Sequence, residues 1–149
     1  MDMEIKEKII PENLVALLEY SGDGLNNTLF ELFEWAKESK VKIQGAPFSV
    51  FKNFNSEKEV HYCGVSIRGD DLKVPDCISI KSFSKHLVLS SIHVGSHDSA
   101  YKTYDEIVEY AGENNYTVLD TSYLVFFNNP LYTDKDHLIS DVQVNVLKD

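Results

Sequence analysis

Two stretches of the sequence decide the fold: LVALLEYSG at residues 14–22 and LVLSSIHVG at residues 87–95. They align without a gap, and each is rich in residues typical of β-strands and ends at a glycine. Glycine turns a chain without steric cost, so each stretch is interpreted as a strand followed by a turn. The similarity predicts an internal repeat of two halves, about residues 3–75 and 76–149, within one domain spanning residues 1–149.

A helix is predicted after each glycine. Four apolar residues recur at helical spacing in each half: Leu29, Leu32, Phe33 and Ala36 in the first, and Tyr104, Ile107, Val108 and Ala111 in the second. The Asn-Asn-Thr run at residues 26–28 can cap the first helix, and Asp98 with Ser99 can cap the second. Gly112 and the asparagines at residues 114–115 are typical of a helix end.

The remaining elements are strands, and they also occur in matching pairs. Short strands are predicted near residues 4–9 and 78–83, aromatic strands at residues 48–53 and 123–128, and closing strands at residues 60–67 and 141–147. Each half therefore has the order strand–strand–helix–strand–strand. The predicted fold class is α+β, with an antiparallel curved sheet, two helices on one face and pseudo-two-fold symmetry. The alternative is a chance similarity between two ordinary α+β segments.

The composition narrows the classes of function. Among the 149 residues 24 are acidic and 14 basic, which gives a formal net charge of −10, and Arg68 is the only arginine. Nucleic-acid binding relies on clustered lysine and arginine, so direct contact with DNA or RNA is not expected. No apolar run reaches the length of a membrane span, and the acidic N-terminus is unlike a signal peptide. We expect a cytoplasmic protein in which Cys63 and Cys77 are free thiols rather than a disulfide.

The order of the elements and several short motifs resemble the GyrI-like small-molecule-binding domain over essentially the whole chain. The motifs are the run ending at Gly22, FEWA at residues 33–36, QGAPF at 44–48, HVG at 93–95, the helix over 101–111 and FFNNP at 126–130. This domain is also the effector-binding half of AraC- and MerR-type transcription regulators, and it occurs in DNA gyrase inhibitory protein. The resemblance implies a concave pocket between the helices and the sheet, lined by aromatic side chains. In the family a buried glutamate often receives a lipophilic cation there.

The sequence departs from the family at that glutamate. The family places it two residues ahead of an aromatic residue in the strand before Asn-Asn-Pro, and here Phe126 puts that position on Leu124. Leucine can neither pair with a cation nor act as a general acid or base. The resemblance therefore does not carry over glutamate-dependent cation binding, nor the hydrolase activity of some family branches. Glu19, near the end of its strand, is a candidate replacement, although a solvated position is favoured.

Aromatic residues are the candidates for lining the implied pocket. Because side chains alternate along a strand, Ser49 shares a face with Phe51, and Leu124 shares the matching face with Phe126. If the helices cover that face, the candidate ligand-binding residues are Tyr20, Trp35, Phe51, Tyr62, Tyr104, Tyr110, Leu124 and Phe126. Such a set suits a flat, lipophilic ligand, and a cationic one is left open. The alternative is that most of these rings simply fill the core.

No metal ligand, cofactor or catalytic residue is predicted. His93 and His97 have the spacing of a zinc site on a helix, but a turn at Gly95 separates them and no third ligand is evident. A histidine next to Cys63, either His61 or His93, could take the thiol proton and so produce a thiolate nucleophile. Because no recognisable motif surrounds Cys63, a buried structural cysteine is the favoured interpretation.

The sequence thus favours a stand-alone module that binds or senses a small lipophilic molecule. It is expected to lack a DNA-binding region of its own, because the predicted fold begins near Met3, so a regulatory role would require a partner chain. The alternative is a protein-interaction inhibitor of the gyrase inhibitory protein type, in which the acidic surface binds a basic partner. A small hydrolase of the same fold is the least favoured class.

Overall fold

The computed structural model describes residues 4–21, 24–52, 61–69 and 72–149. The first half contains β1 (Lys6–Ile10), β2 (Asn13–Tyr20), α1 (Leu25–Glu38), β3 (Lys42–Phe51) and β4 (His61–Arg68). The second half contains β5 (Ile78–Phe83), β6 (His86–Val94), α2 (Ala100–Glu113), β7 (Tyr116–Phe126) and β8 (Ile139–Lys148). Both have the predicted element order, which confirms the α+β class. The predicted turn at Gly22 and the predicted strand residues Asn53 and Val60 lie outside the described residues.

The first helix begins earlier than predicted. α1 starts directly after Gly24, so the cap predicted at residues 26–28 is wrong. The Asn26 side-chain amide instead approaches the Pro130 carbonyl oxygen at 3.5 Å, and this contact joins α1 to the second half of the chain. The helix therefore gains a long-range contact from the residue that was expected to cap it.

The second helix is preceded by a short 3-10 turn at His97–Ser99. Ser96 caps this turn, because its Oγ accepts a hydrogen bond from the Asp98 N–H at 3.2 Å. Ser99 occupies the N-cap position of α2 as predicted, but no side-chain capping hydrogen bond is described there. Its Oγ instead donates to the Ser96 carbonyl oxygen at 2.8 Å. At the other end, Asn115 has a φ of 63°, a left-handed conformation that asparagine tolerates, so α2 ends close to the predicted position.

The described strands form one antiparallel sheet in the order β1-β6-β8-β7-β3-β4-β2-β5. If each strand is replaced by its counterpart in the other half, the result is the same order read from the opposite edge. The counterparts β3 and β7 pair at the centre of the sheet. The first strand of each half pairs with the second strand of the other: β1 with β6, and β5 with β2. Both central strands also shift register, between Gln44 and Phe48 in β3 and between Val118 and Ser122 in β7. Gly45 in the first shift has a φ of 79°, which favours glycine.

The sheet must curl strongly, because its connections are very short. β1 lies at one edge and β2 next to the other, yet only Pro11 and Glu12 join them. In a flat sheet, six strand spacings would separate these strands by roughly 29 Å. The three residue steps from Ile10 to Asn13 span about 10 Å at most. The equally short link at residues 84–85, between β5 and β6, imposes the same curl from the other side.

Both helices pack on the same face of the sheet. α1 contacts β2, β3 and β4, whereas α2 contacts β6, β7 and β8, so each helix covers its own half. The main core lies beneath them and includes Leu29, Leu32, Ile107, Val142 and Val144, all fully buried. Burying one such side chain contributes about 1.5–3 kcal/mol, so this face supplies most of the stability. Among the described residues, neither helix has the length and apolar character needed to span a membrane.

A smaller apolar cluster lies on the opposite face, which we call the helix-free face. It is formed by Val15, Leu17, Phe48 and Tyr123, with Phe83 packed against them. The curl of the sheet brings the two short links over this cluster. The helix-free face is therefore partly buried although neither α1 nor α2 covers it.

Candidate functional site

The two central strands present a row of side chains to the helices. Ser49 on β3 lies opposite Leu124 on β7, and Phe51 on β3 lies opposite Ser122 on β7. Phe126 comes two residues after Leu124 and points to the same face of the sheet. Leu124 and Phe126 are each only 1% exposed, and they belong to the core beneath the helices. We call these five residues the floor. It contains three apolar and two hydroxyl side chains and no charge, so Leu124 is not compensated by a carboxylate within it.

Two tyrosines hydrogen-bond to the serines of the floor. Tyr20 Oη donates to Ser49 Oγ at 2.9 Å, and burial raises the pKa of Tyr20 to about 12. Tyr104, on α2, hydrogen-bonds to Ser122, and burial is again the main cause that raises its pKa. Both phenols are therefore neutral near pH 7. Tyr104 ties α2 to the centre of the sheet and covers one side of the floor.

An aromatic cluster extends the floor toward β4. The rings of Phe51 and His61 are 4.6 Å apart between centroids, and those of Tyr20 and His61 are 5.7 Å apart. The structure thus brings together five of the predicted ligand-binding residues: Tyr20, Phe51, Tyr104, Leu124 and Phe126. Their role as ligand contacts stays a prediction.

The other three predicted residues differ in their contacts. Trp35 Nε1 donates to the Lys73 carbonyl oxygen at 3.1 Å, which turns the indole toward the segment after β4. Tyr110 comes six residues after Tyr104, about 120° further around the helix. Tyr62 precedes Cys63 on β4, so alternation places it on the helix-free face, where it is 37% exposed. The sheet therefore separates Tyr62 from the floor, whereas Trp35 and Tyr110 pack in the same core as the floor residues.

Glu19 does not replace the missing carboxylate. It is exposed and lies opposite Tyr62 in the β2–β4 pairing, on the helix-free face. The neighbouring Tyr20 points to the floor, and alternation along β2 sends Glu19 the other way. The favoured interpretation of Glu19 as a solvated residue agrees with this position.

The histidines and cysteines have structural surroundings. His93 Nδ1 lies 3.2 Å from Thr103 Oγ1, and its Nε2 lies 3.0 Å from the Ser96 carbonyl oxygen, so the ring holds the turn before α2 in place. Cys63 and Cys77 are both free within the described part of the chain. Burial raises the pKa of Cys63 to about 12, which keeps it a thiol and removes its nucleophilic form near pH 7. The described residues contain no group of three or more His, Cys, Asp or Glu arranged for a metal.

The helix-free face contains a cavity of about 200 Å³ that the sequence analysis did not find. Among its walls are Ile10, Phe48, Phe83, His86, Tyr123 and Gln143. None of the predicted ligand-binding residues lines it. The sequence does contain a pattern that predicts this second aromatic surface. Phe48 and Tyr123 begin the two matching aromatic stretches, each one residue before Ser49 or Leu124. Alternation therefore puts this aromatic pair on the face opposite the floor.

These features define a class of protein: an α+β ligand-binding domain, with a curved sheet, an uncharged aromatic floor under two helices, and a cavity on the opposite face of the sheet. The GyrI-like small molecule binding domain matches residues 3–147, and the chain belongs to this family. A search of curated proteins finds no match.

Solved structures have the same fold at low sequence identity. The C-terminal domain of EcmrR matches with a TM-score of 0.76 and 16% identity, over 100% of both chains. EcmrR in a DNA complex matches with a TM-score of 0.83 and 14% identity, over 99% of this chain but 58% of that one. The chain therefore spans little more than half the length of that EcmrR chain.

Two further structures with this fold are a hydrolase and a protein bound to an organic cation. A hydrolase from Listeria innocua matches with a TM-score of 0.69 and 11% identity, over 97% of this chain and 92% of that one. SAV2435 bound to tetraphenylphosphonium matches with a TM-score of 0.60 and 7% identity, over 99% and 94%. At these identities the likeness concerns the fold alone.

Proposed function

We propose that this protein binds a small, uncharged, lipophilic molecule between its two helices, above the floor, and so acts as a cytoplasmic binding or sensing module. Membership of the GyrI-like family supports a small-molecule ligand. The observation that carries the choice of an uncharged ligand is Leu124, which is 1% exposed at the centre of the floor. It stands where the family resemblance places a glutamate.

The energetics of charge favour a neutral ligand. A cation that enters this region loses its hydration, and no carboxylate of the floor replaces it, which costs several kcal/mol. The faces of Phe51, Tyr20 and Tyr104 would return about 0.5–2 kcal/mol each at best through cation–π attraction. A neutral aromatic molecule avoids the desolvation cost while burying the same apolar area. SAV2435 was solved with a lipophilic cation, and we expect this chain to differ from it.

Entry of the ligand requires side chains to move. Leu124 and Phe126 are covered, and Tyr104 is held over β7 by its hydrogen bond to Ser122. We propose Tyr104 as the side chain that moves first, because it is only partly buried and packs against the core that contains Leu124 and Phe126. The hydrogen bond that must break contributes about 0.5–1.5 kcal/mol, a cost that a lipophilic ligand can offset.

We do not expect this domain itself to contact DNA. EcmrR was solved with DNA, but here the net charge of −10 and the single arginine oppose direct contact with nucleic acid. We do not propose a catalytic step, although one structural neighbour is a hydrolase, because Leu124 supplies no acid or base and Cys63 stays protonated. Inhibition of gyrase through the acidic surface stays a prediction, and a supercoiling assay with excess protein tests it.

The binding experiment compares acridine with 10-methylacridinium, a permanent cation of nearly the same shape, at pH 8. Calorimetric titration should show acridine binding at least tenfold more tightly. Ligand at ~100 times its Kd stabilises the fold by about 2.7 kcal/mol, so Tm should rise by roughly 5–10 °C. Equal or tighter binding of the cation would refute the assignment.

A substitution in the floor gives a second test of the preference for a neutral ligand. Leu124→Glu should reverse the preference and favour the cation, whereas Leu147→Glu makes the same change at a position that is 58% exposed and should leave it unaltered. If Leu124→Glu does not fold, the comparison of the two ligands on the unaltered protein still decides the question.

A further inference from the structure

We propose that the cavity on the helix-free face is a second binding site, specific for a small, flat, neutral aromatic molecule with an N–H donor. It lies on the opposite side of the sheet from the floor. Strand alternation separates the two completely: Phe48 and Tyr123 face the cavity, while Ser49 and Leu124 face the helices. The second site therefore does not share side chains with the first.

The cavity lies where the two halves of the chain meet. Ile10 and Phe83 are the last residues of β1 and β5, and His86 is the first residue of β6. Phe48 and Tyr123 come from the paired central strands. The curl imposed by the two short links holds these walls together, so the cavity is preformed by the fold and does not depend on a flexible loop.

Its walls are aromatic. The ring centroids of Phe48, Phe83 and Tyr123 lie 6.2–6.4 Å from one another at interplanar angles of 50–80°. His86 adds a fourth ring, 5.6 Å from Tyr123 at 35°. Rings tilted in this way offer both faces and edges to a flat guest, the arrangement in which aromatic pairs attract.

Asn13 and Ser66 line the cavity and hydrogen-bond to each other. Three further polar groups of the lining are Gln143, His86 and Tyr123. Gln143 Nε2 donates to Asp141 Oδ2 at 3.0 Å, which fixes the amide and leaves its oxygen to accept. His86 Nδ1 is 2.8 Å from the Ser84 carbonyl oxygen, which can only accept, so neutral His86 offers Nε2 as an acceptor. Tyr123 Oη accepts from Asn145 Nδ2 at 3.3 Å and retains its own hydrogen. Two acceptors beside aromatic walls suit a ligand that has an N–H.

The charge near the cavity is balanced. Asp141 is 2% exposed behind Gln143, and Lys8 Nζ approaches its Oδ2 at 2.9 Å. The pair carries no net charge, although Asp141 Oδ1 has no hydrogen-bond partner among the described residues. An overall neutral pair favours a neutral guest. Burial also raises the pKa of Tyr123, so this wall stays uncharged at physiological pH.

The size of the cavity limits which ligands it accepts and so distinguishes it from the site above the floor. A cavity of about 150 Å³ with apolar walls holds benzene. At about 200 Å³, this one fits one ring or two fused rings. Indole has two fused rings, no charge and one N–H, and it is the probe we choose. Acridine, with three fused rings, is too large.

The experiment is an NMR titration of ¹⁵N-labelled protein with indole. Saturable shifts are expected at Phe48 and Tyr123, while the Trp35 indole N–H, far away on α1, should not move. Ala46→Phe fills the cavity from its wall and should weaken indole binding at least tenfold. Val94→Phe adds the same ring at a position that is 65% exposed and should leave binding unchanged.

Competition distinguishes this site from the one between the helices. Saturating acridine should leave indole binding intact, so loss of acridine binding in any variant says nothing against the cavity. Displacement of indole by acridine would overturn the second site, as would unaltered indole binding in a folded Ala46→Phe protein. If that variant does not fold, the positions of the shifts in the unaltered protein decide alone. Shifts confined to the floor, or none at millimolar indole, would refute the assignment.

Discussion

Replacing Gly64 by alanine tests how tightly the helix-free face is packed. Gly64, on β4, lies opposite Phe48 on one side and Leu17 on the other. A Cβ built there would come within 2.7 Å of Leu17 Cδ2 and 2.8 Å of the Phe48 ring carbons Cε2 and Cζ. Real Cβ contacts are not this short, so a neighbour must move. The leucine methyl can rotate away, but the Phe48 ring is held between Phe83 and Tyr123.

The magnitude follows from two opposing terms. Forcing one extra carbon into a packed core costs typically 1–3 kcal/mol. Replacing glycine by alanine also restricts the unfolded chain, which returns about 0.4–1 kcal/mol because the Gly64 backbone needs no positive φ. The net loss for Gly64→Ala should be about 1–2 kcal/mol. For a chain of this length, Tm then falls by roughly 2–8 °C.

Gly112→Ala is the matched control. Gly112 lies in the last turn of α2, and a Cβ there would meet nothing within 4 Å. Helix propensity alone predicts a gain of about 0.5–1 kcal/mol and a higher Tm. Urea unfolding of both variants measures the difference directly. If Gly64→Ala is as stable as the unaltered protein, the Phe48 ring yields freely and the argument for a rigid cavity wall fails.

Two further predictions concern buried ionisable groups. Cys63 has a pKa raised from 9.0 to about 12, so above pH 9 the unfolded state loses its proton first and stability falls as the pH rises. About 2 kcal/mol should disappear between pH 9 and 10.5. Tyr20, whose pKa is also raised to about 12, adds a fall of its own in every variant. Urea unfolding should therefore show a fall that is smaller by roughly 2 kcal/mol in Cys63→Val and unchanged in Cys77→Ser, whose thiol is exposed. An unchanged fall in Cys63→Val would contradict the assignment. Lys8→Met should cost about 2 kcal/mol, because Asp141 stays buried without its cation and Lys8 is itself partly exposed. Lys8→Met with Asp141→Leu should recover most of that loss at pH 7, and a double variant less stable than Lys8→Met would refute this explanation.

Local patterns were enough to predict the order of elements and the partition of residues between faces. β5 has the predicted bounds, and Leu124 and Phe126 share the helix-covered face as alternation along β7 required. The lengths of β3 and β7 were underestimated. Both strands begin well before the aromatic stretches and continue through register shifts, at Gly45 and near Asp120, whose residues are typical of loops. A shift of this kind preserves the strand while breaking its local pattern.

The sequence by itself determined which side chains point the same way, because the periods of helices and strands are properties of neighbouring residues. Only the tertiary structure decided which faces meet. Backbone hydrogen bonds between strands are chemically alike for any partner, so nothing local indicates that β1 pairs with β6 or β5 with β2. That exchange forces the sheet to curl, brings Phe83 and His86 against Phe48 and Tyr123, and so forms the walls of the cavity.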